Sequence, residues 1–186
     1  MDVLQAIAAR RSVKRFTPRP VSREEMERLL EAAVQAPNHR RTKPWRFHVL
    51  GEQGRRGWGE ALGARKAKKL EDADAKQALI TKIGVEHVEL PSMLIVAMAL
   101  NENPEIREED YAATMMAVQN ISLACLAMGL GAHIRTGAVM DDPAARAAAG
   151  VPEGERIIAM LNMGEPADEA SERPERNAAE VTSWGA

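Results

Sequence analysis

Seven residues near the N-terminus, Arg10-Arg11-Ser12-Val13-Lys14-Arg15-Phe16, bring together groups that can hold an anion. In an extended segment successive side chains alternate faces, so Arg10, Ser12 and Lys14 point one way and Arg11, Val13 and Arg15 the other. A guanidinium, a hydroxyl and an ammonium on one face can grip a phosphate through charge-assisted hydrogen bonds, with Arg as a planar fork and Lys as a point charge. The competing reading is a solvated basic turn, since basic runs are common on surfaces. Two further stretches qualify as candidates. One is the polar, basic loop Pro37-Asn38-His39-Arg40-Arg41-Thr42-Lys43-Pro44; the other is the glycine-bounded run from Gly129-Leu130-Gly131 to Arg135-Thr136-Gly137.

Other chemistries find little support. The four histidines, His39, His48, His87 and His133, are scattered without cysteine or carboxylate partners at ligand spacing, so no metal site is expected. His48 and His133 alternate with apolar residues and read as structural. No serine sits in a nucleophile elbow, and Gly129-Leu130-Gly131 lacks both the third glycine and the preceding strand of a dinucleotide-binding turn. The single cysteine, Cys125, lies in an apolar helical segment and reads as a buried, inert thiol. Lys66-Ala67-Lys68-Lys69 reads as a solvated helical face.

Composition narrows the class further. Charged residues make up 28% of the 186 and the formal net charge is -2, which argues against broad nucleic-acid binding. No apolar run reaches membrane-spanning length and the first residues lack an export pattern, so a soluble, cytoplasmic chain is expected. Residues 1–186 suit one domain. Aromatics are only 3%, so the core must rely on helix packing, and a partner chain would help it bury enough surface.

The elements that position the candidates follow from periodicity and punctuation. Val3, Leu4, Ile7 and Ala8 make a short amphipathic helix leading into the basic stretch. Ser22-Arg23-Glu24-Glu25 is a capping box, starting a helix through Met26, Leu29, Leu30, Ala33 and Val34 that Pro37 forbids from continuing. A strand is expected over 45–50, one or two mobile helices over 55–84, and a central strand buried on both faces over 92–100. The best helix runs over 108–128, almost encircled by apolar residues and closed by Gly129. A strand over 132–137, a small helix capped by Asp142 with Pro143 at its first position, and a strand over 157–163 complete the order. The tail, with Arg173, Arg176 and Trp184, should lie over another surface.

Taken together, the three candidate stretches resemble the nitroreductase family of flavoproteins, in order and over nearly the whole chain, with Gly164-Glu165-Pro166 after the last strand. The resemblance implies an α+β fold: a three-layer α/β/α sandwich around a mostly antiparallel sheet, assembled as an intertwined homodimer with the tail over about 167–186 on the partner. It implies FMN at the subunit interface and NADH or NADPH as donor. Hydride would pass in ping-pong fashion through FMN to nitroaromatic, quinone or related small acceptors. The chemistry belongs to FMN, and no side chain is assigned as catalytic. Arg10, Arg11, Ser12 and Lys14 would hold the flavin phosphate, as would Arg176. Gln35 and His39 of the second subunit would reach the pyrimidine edge, and the backbone at Ile134, Arg135 and Thr136 would lie against the ring. His39 without a following serine or asparagine is closest to a small subgroup. The stretch between Arg55 and Pro91 is shorter than in many members, and Asn177 replaces a usual proline. A flavin-binding dimer without turnover, or another reductive reaction such as dehalogenation or flavin fragmentation, are the alternatives on the same fold.

Overall fold

The apolar run near the middle of the chain becomes β2 (Met93–Ala99), with its first six residues buried. A computed structural model describes residues 2–168, 172 and 175–185 of the chain. Within it β2 pairs antiparallel with β1 (Trp45–Val49) on one side and with β4 (Glu155–Gly164) on the other. Strand β3 (Gly131–Arg135) pairs antiparallel with the far side of β4, giving the order β1-β2-β4-β3. The β2–β4 register slips between Val96 and Ala97, a bulge that leaves Ile158 without an opposite residue.

Side-chain alternation along these strands divides the interior in two. Leu94 and Val96 join Ala159, Leu161 and Met163 on one face, where α2 (Arg23–Ala33) and α5 (Pro104–Ala127) cover them with Met26, Leu29, Val118 and Ile121. Met93, Ile95 and Ala97 take the other face with Ile157 and Met160, under Trp58 and Ala61 of α3 (Glu52–Ala67) and Ala145 of α6 (Pro143–Ala148). Strands buried on both faces need no polar alternation, which is why β2 is continuously apolar. The layers are therefore helix, sheet, helix.

The expected caps are in place. Asp2 caps α1 (Val3–Ala9), and Ser22 and Glu25 exchange the two bonds of a capping box at α2. Asp142 caps α6, with Pro143 at its first position. Helix α5 starts one turn earlier than periodicity indicated, because Asn103 accepts from Glu105 N–H and Pro104 supplies a ready-made first residue. The segment after β1 is no loose pair: α3 and α4 (Ala73–Val88) form a tight hairpin burying Trp58, Ile83 and His87. A Cβ on Gly59 would come within 2.6 Å of the Ile83 carbonyl oxygen. The final stretch holds a 3-10 turn, Ala178–Val181, whose Val181 and nearby Trp184 are 88% and 91% exposed. Arg173 lies outside the described residues.

Cys125 sits on the inner face of α5, fully buried, and burial pushes its thiol up to about 12. We expect the folded protein at pH 8 to be inert to a thiol-reactive dye and to release one equivalent only on denaturation. Rapid labelling without denaturant would contradict this packing.

Candidate functional site

The basic N-terminal stretch is held as an outer rib against the sheet. After α1, Arg11 donates through Nη1 to the carbonyls of Ala8 (2.8 Å) and Arg10 (3.0 Å), tying down the helix end. Ser12 then bridges Ala132 in parallel, and Val13 N–H donates to the Ala132 carbonyl at 3.1 Å. Val13 presses on Gly131, where a Cβ would meet its side chain at 2.5 Å, so only glycine permits this approach. At its other end the rib is sewn to the exit of β4. Thr17 N–H donates to the Glu165 carbonyl (2.8 Å) and Ala167 N–H to the Arg15 carbonyl (3.1 Å).

A first cavity, of about 430 Å³, opens along this rib, between residues 9–15, Gly131 and Ala132, and the α5 side chains Ser122 and Leu126. Its chemistry favours an anion. Asp168 is the single carboxylate among its lining residues, and the Arg15 guanidinium engages it through two hydrogen bonds. That bond, with the charge beside it, holds the Asp168 carboxyl below its ordinary range. Among the described residues no ion pair engages Arg10 or Lys14. The buried Ser122 hydroxyl has no partner, an unmet hydrogen bond that a polar ligand would supply.

A second cavity, of about 350 Å³, lies where β3 ends, lined by Arg135, Thr136 and Gly137 and by Trp58, Arg65, Lys66 and Lys69 of the α3 region. Gly137 has φ +144 and open space where a Cβ would stand, so its backbone is free to be approached. The neighbouring Ile134 side chain goes elsewhere, packing on the α2–α5 face of the core. His133 lies below its ordinary pKa through burial, with Arg135 and Lys14 acting in the same direction.

The second basic loop is rigidly built. Asn38 Oδ1 accepts from Lys43 N–H at 2.8 Å and its amide donates to Thr42 Oγ1 at 3.1 Å. Thr42 in turn donates to the buried Asp110 carboxylate. This lacing holds Arg41 and Lys43 at φ +53 and +50, left-handed values that side chains seldom adopt without such support. His39 stands exposed on the loop, with Nδ1 3.5 Å from Glu109 Oε1. Arg40 bonds Glu109 as well and holds its carboxyl below the usual range. Together with Pro37, Ala112 and Met116, His39 lines a third cavity of about 430 Å³.

The structure thus brings Arg10, Arg11, Ser12 and Lys14 together in the first cavity and Arg135 and Thr136 in the second. His39 faces the third, while Gln35 and Arg176 are exposed and line none of the three. Ser122, Trp58 and Arg65 were not singled out by sequence, and Lys66 and Lys69, read there as part of a solvated helical face, line the second cavity instead. A serine inside the apolar stripe of α5 was the available signal for the first. For the last two the only signal was the basic run itself: α3 ends at Ala67, and Lys69 lies in the turn that follows, its N–H facing the Lys66 carbonyl at 3.4 Å. Among the described residues no group of three or more His, Cys, Asp or Glu could hold a metal ion, and no helix is long and apolar enough to cross a membrane.

Comparison with known proteins meets this geometry. A family model described as the nitroreductase family matches residues 7–165, spanning the rib, the basic loop, both helical layers and the end of β4. The chain belongs to the nitroreductase family. Among nitroreductase-family relatives, a Bacillus subtilis protein named "Putative NAD(P)H nitroreductase YfhC" is 33% identical over 171 residues, covering 91% of this chain and 87% of the relative. The crystal structure of a nitroreductase-like family protein from Bacillus cereus superposes with a TM-score of 0.84 at 26% identity, over 99% of this chain and 96% of that one. A Desulfovibrio desulfuricans protein crystallised in complex with FMN gives a TM-score of 0.73 at 27% identity, covering 100% and 98%. The three-layer arrangement with its antiparallel sheet is the nitroreductase fold.

Because the rib docks only where residue 131 lacks a side chain, Gly131→Ala should lower stability by about 1–3 kcal/mol, the usual cost of forcing atoms into a filled contact. Denaturant melts of the two proteins measure this, and equal midpoints would show that the rib yields freely.

Proposed function

We propose that this nitroreductase-family chain is an FMN-dependent oxidoreductase, taking electrons from NADH or NADPH and delivering them to small nitroaromatic or quinone-type acceptors. The observation that carries the reading is the first cavity, with two cations lacking a counter-charge among the described residues beside a buried serine hydroxyl lacking a partner. The names of relatives point the same way: the Bacillus subtilis protein is named for NAD(P)H and nitro substrates, and the Desulfovibrio desulfuricans protein was crystallised with FMN.

The residues fit the cofactor. Arg10, Ser12 and Lys14 would bind its phosphate, with Arg11 fixing the rib on which they stand. Ser122 offers a hydroxyl suited to the sugar-alcohol chain. From Ala132, opposite Ser12, to Thr136 the backbone advances four residues, roughly 13 Å if extended. That length is comparable with the separation of a phosphate and a planar ring joined by a five-carbon chain. The open backbone at Thr136 and Gly137 would then face the ring. When bound, FMN supplies the two-electron chemistry. The protein contributes position, a cationic surround and exclusion of water; protons for the acceptor come from solvent.

A second copy completes the site in this reading. Gln35 and His39 line neither the first nor the second cavity of their own protomer, and their loop is rigid and exposed, as a part that reaches into a neighbour must be. The exposed Val181 and Trp184 of the tail suit packing on that same neighbour. The chain acts as one domain over 1–186.

Purified protein should be yellow and dimeric. Its visible flavin band should bleach with NADH or NADPH under anaerobic conditions and return on adding a nitroaromatic or a quinone. Bleaching without return selects a flavin binder without turnover, and protein that stays colourless in excess FMN removes the reading. Replacing Arg10 and Ser12 by alanine should weaken FMN binding, by about 1.5–3 kcal/mol for each charged hydrogen bond lost; fluorescence titration of FMN measures it. His39→Ala should slow flavin reduction in stopped flow while leaving the dimer mass unchanged, and kinetics identical to the unaltered protein would take His39 out of the site.

A further inference from the structure

We propose that Asp110 is a positioning residue for the reaction: its buried carboxylate sets the loop that carries His39 to the flavin of a second copy. This rests on the oxidoreductase reading and on the role given there to His39. Asp110 stands on the second turn of α5, 2% exposed, where an unpaired carboxylate is costly to hold. Thr42 Oγ1 donates to it. Asn38 Nδ2 donates in turn to Thr42 Oγ1 at 3.1 Å, and Asn38 Oδ1 accepts from Lys43 N–H at 2.8 Å. These links form one chain that ends on the charge, and each bond in such a chain polarises the next.

Little else holds the loop. Among the described residues, one backbone–backbone bond closes within 38–43, from Arg41 N–H to the Asn38 carbonyl at 3.3 Å. Arg41 and Lys43 nonetheless keep left-handed φ values, so the side-chain links to Asp110 must offset their strain. The neighbouring carboxylate completes the hold from outside: Glu109 engages Arg40 and stands 3.5 Å from His39 Nδ1. Arg40 is held above its ordinary pKa chiefly by the bond to Glu109, with the nearby charges of Glu105 and Asp110 acting the same way. His39 thus sits between two anchor points on one helix, Glu109 at its own ring and Asp110 behind Thr42. Stability alone gives no reason for a carboxylate at 110, since an apolar residue of similar volume often serves a buried position as well or better. A carboxylate specifies geometry instead, because it accepts from Thr42 in one arrangement of the loop. Farther along, the same helix delivers Ser122 to the first cavity. One rigid element therefore joins the hydroxyl offered to a protomer's own cofactor to the loop extended toward the other.

Thr42→Val removes the donor to Asp110, and Thr42→Ser keeps it. Without flavin, hydrogen exchange read by mass spectrometry over 38–43 should run about fivefold or more faster in T42V, the factor that a lost hydrogen bond of ordinary strength gives, and return to its unaltered rate in T42S. With FMN bound, T42V should slow flavin reduction in stopped flow as much as His39→Ala does, by about tenfold for a displaced contact group. The double variant H39A/T42V should be no slower than H39A alone, and T42S should keep the unaltered rate. Thr42 is exposed, and melting midpoints verify folding. If T42V does not fold, Asn38→Ala carries the test, since it cuts the same chain while Asp110 keeps the Thr42 proton. Unchanged exchange, a reduction rate unmoved by T42V where H39A lowers it, or effects of T42V and H39A that multiply overturn the proposal and leave the oxidoreductase reading in place. H39A without effect overturns it too, because nothing is then left to position. If neither nicotinamide reduces the flavin of the unaltered protein, the oxidoreductase reading falls and FMN titration decides the role of Asp110: equal loss of affinity in T42V and H39A upholds it, and no loss in T42V overturns it.

Discussion

The contact between Val13 and Gly131 governs how the N-terminal cations are presented. An edge strand ordinarily leaves a row of unpaired amides and carbonyls, and β3 covers part of its edge with the chain's own N-terminal rib. Because the pairing is parallel and starts one residue into β3, Arg10, Ser12 and Lys14 are fixed in register with the strand that ends at the second cavity. A bulkier residue at 131 would push the rib outward, and the cations would lose their common geometry even with every charge retained. Charge alone does not make an anion site; a fixed backbone under the charges does.

The two apolar layers explain why that rib has something firm to lean on. The α2–α5 layer meets one face of the sheet and the α3–α6 layer the other. The first cavity opens on the α5 side and the second on the α3 side, so β3 is the one strand that serves both. Residues 134 and 135 show the division most plainly: Ile134 turns into the core beside α5, and Arg135 turns to the cavity beside α3. A strand's two-residue period thus sends adjacent side chains to different tasks.

Much of this was legible in sequence because it is locally encoded. Capping residues, proline stops and apolar periodicity located most elements, and the order of three short motifs pointed to the family before any fold was in view. The errors also have local causes. Helix α5 was begun late because Asn103-Pro104 precedes the apolar period rather than belonging to it. The stretch after β1 looked loose because alanine, glycine and charge dominate it, yet small residues are what let α3 and α4 pack so closely. What stayed hidden was convergence across distance. Ser122 and Ser12 are far apart in sequence and share a cavity only because α5 crosses the end of β3. Lys66 and Arg135 likewise meet through tertiary packing that no motif announces.

The pairing of Arg15 with Asp168 carries a further implication. Asp168 stands where the chain leaves the end of β4 and sets out along its tail, and Ala167 is sewn to the same arginine's carbonyl. The rim of the first cavity and the anchor of the tail are therefore one piece of structure. Arg15 thus belongs to both, and altering it changes the edge of the cavity and the start of the tail together.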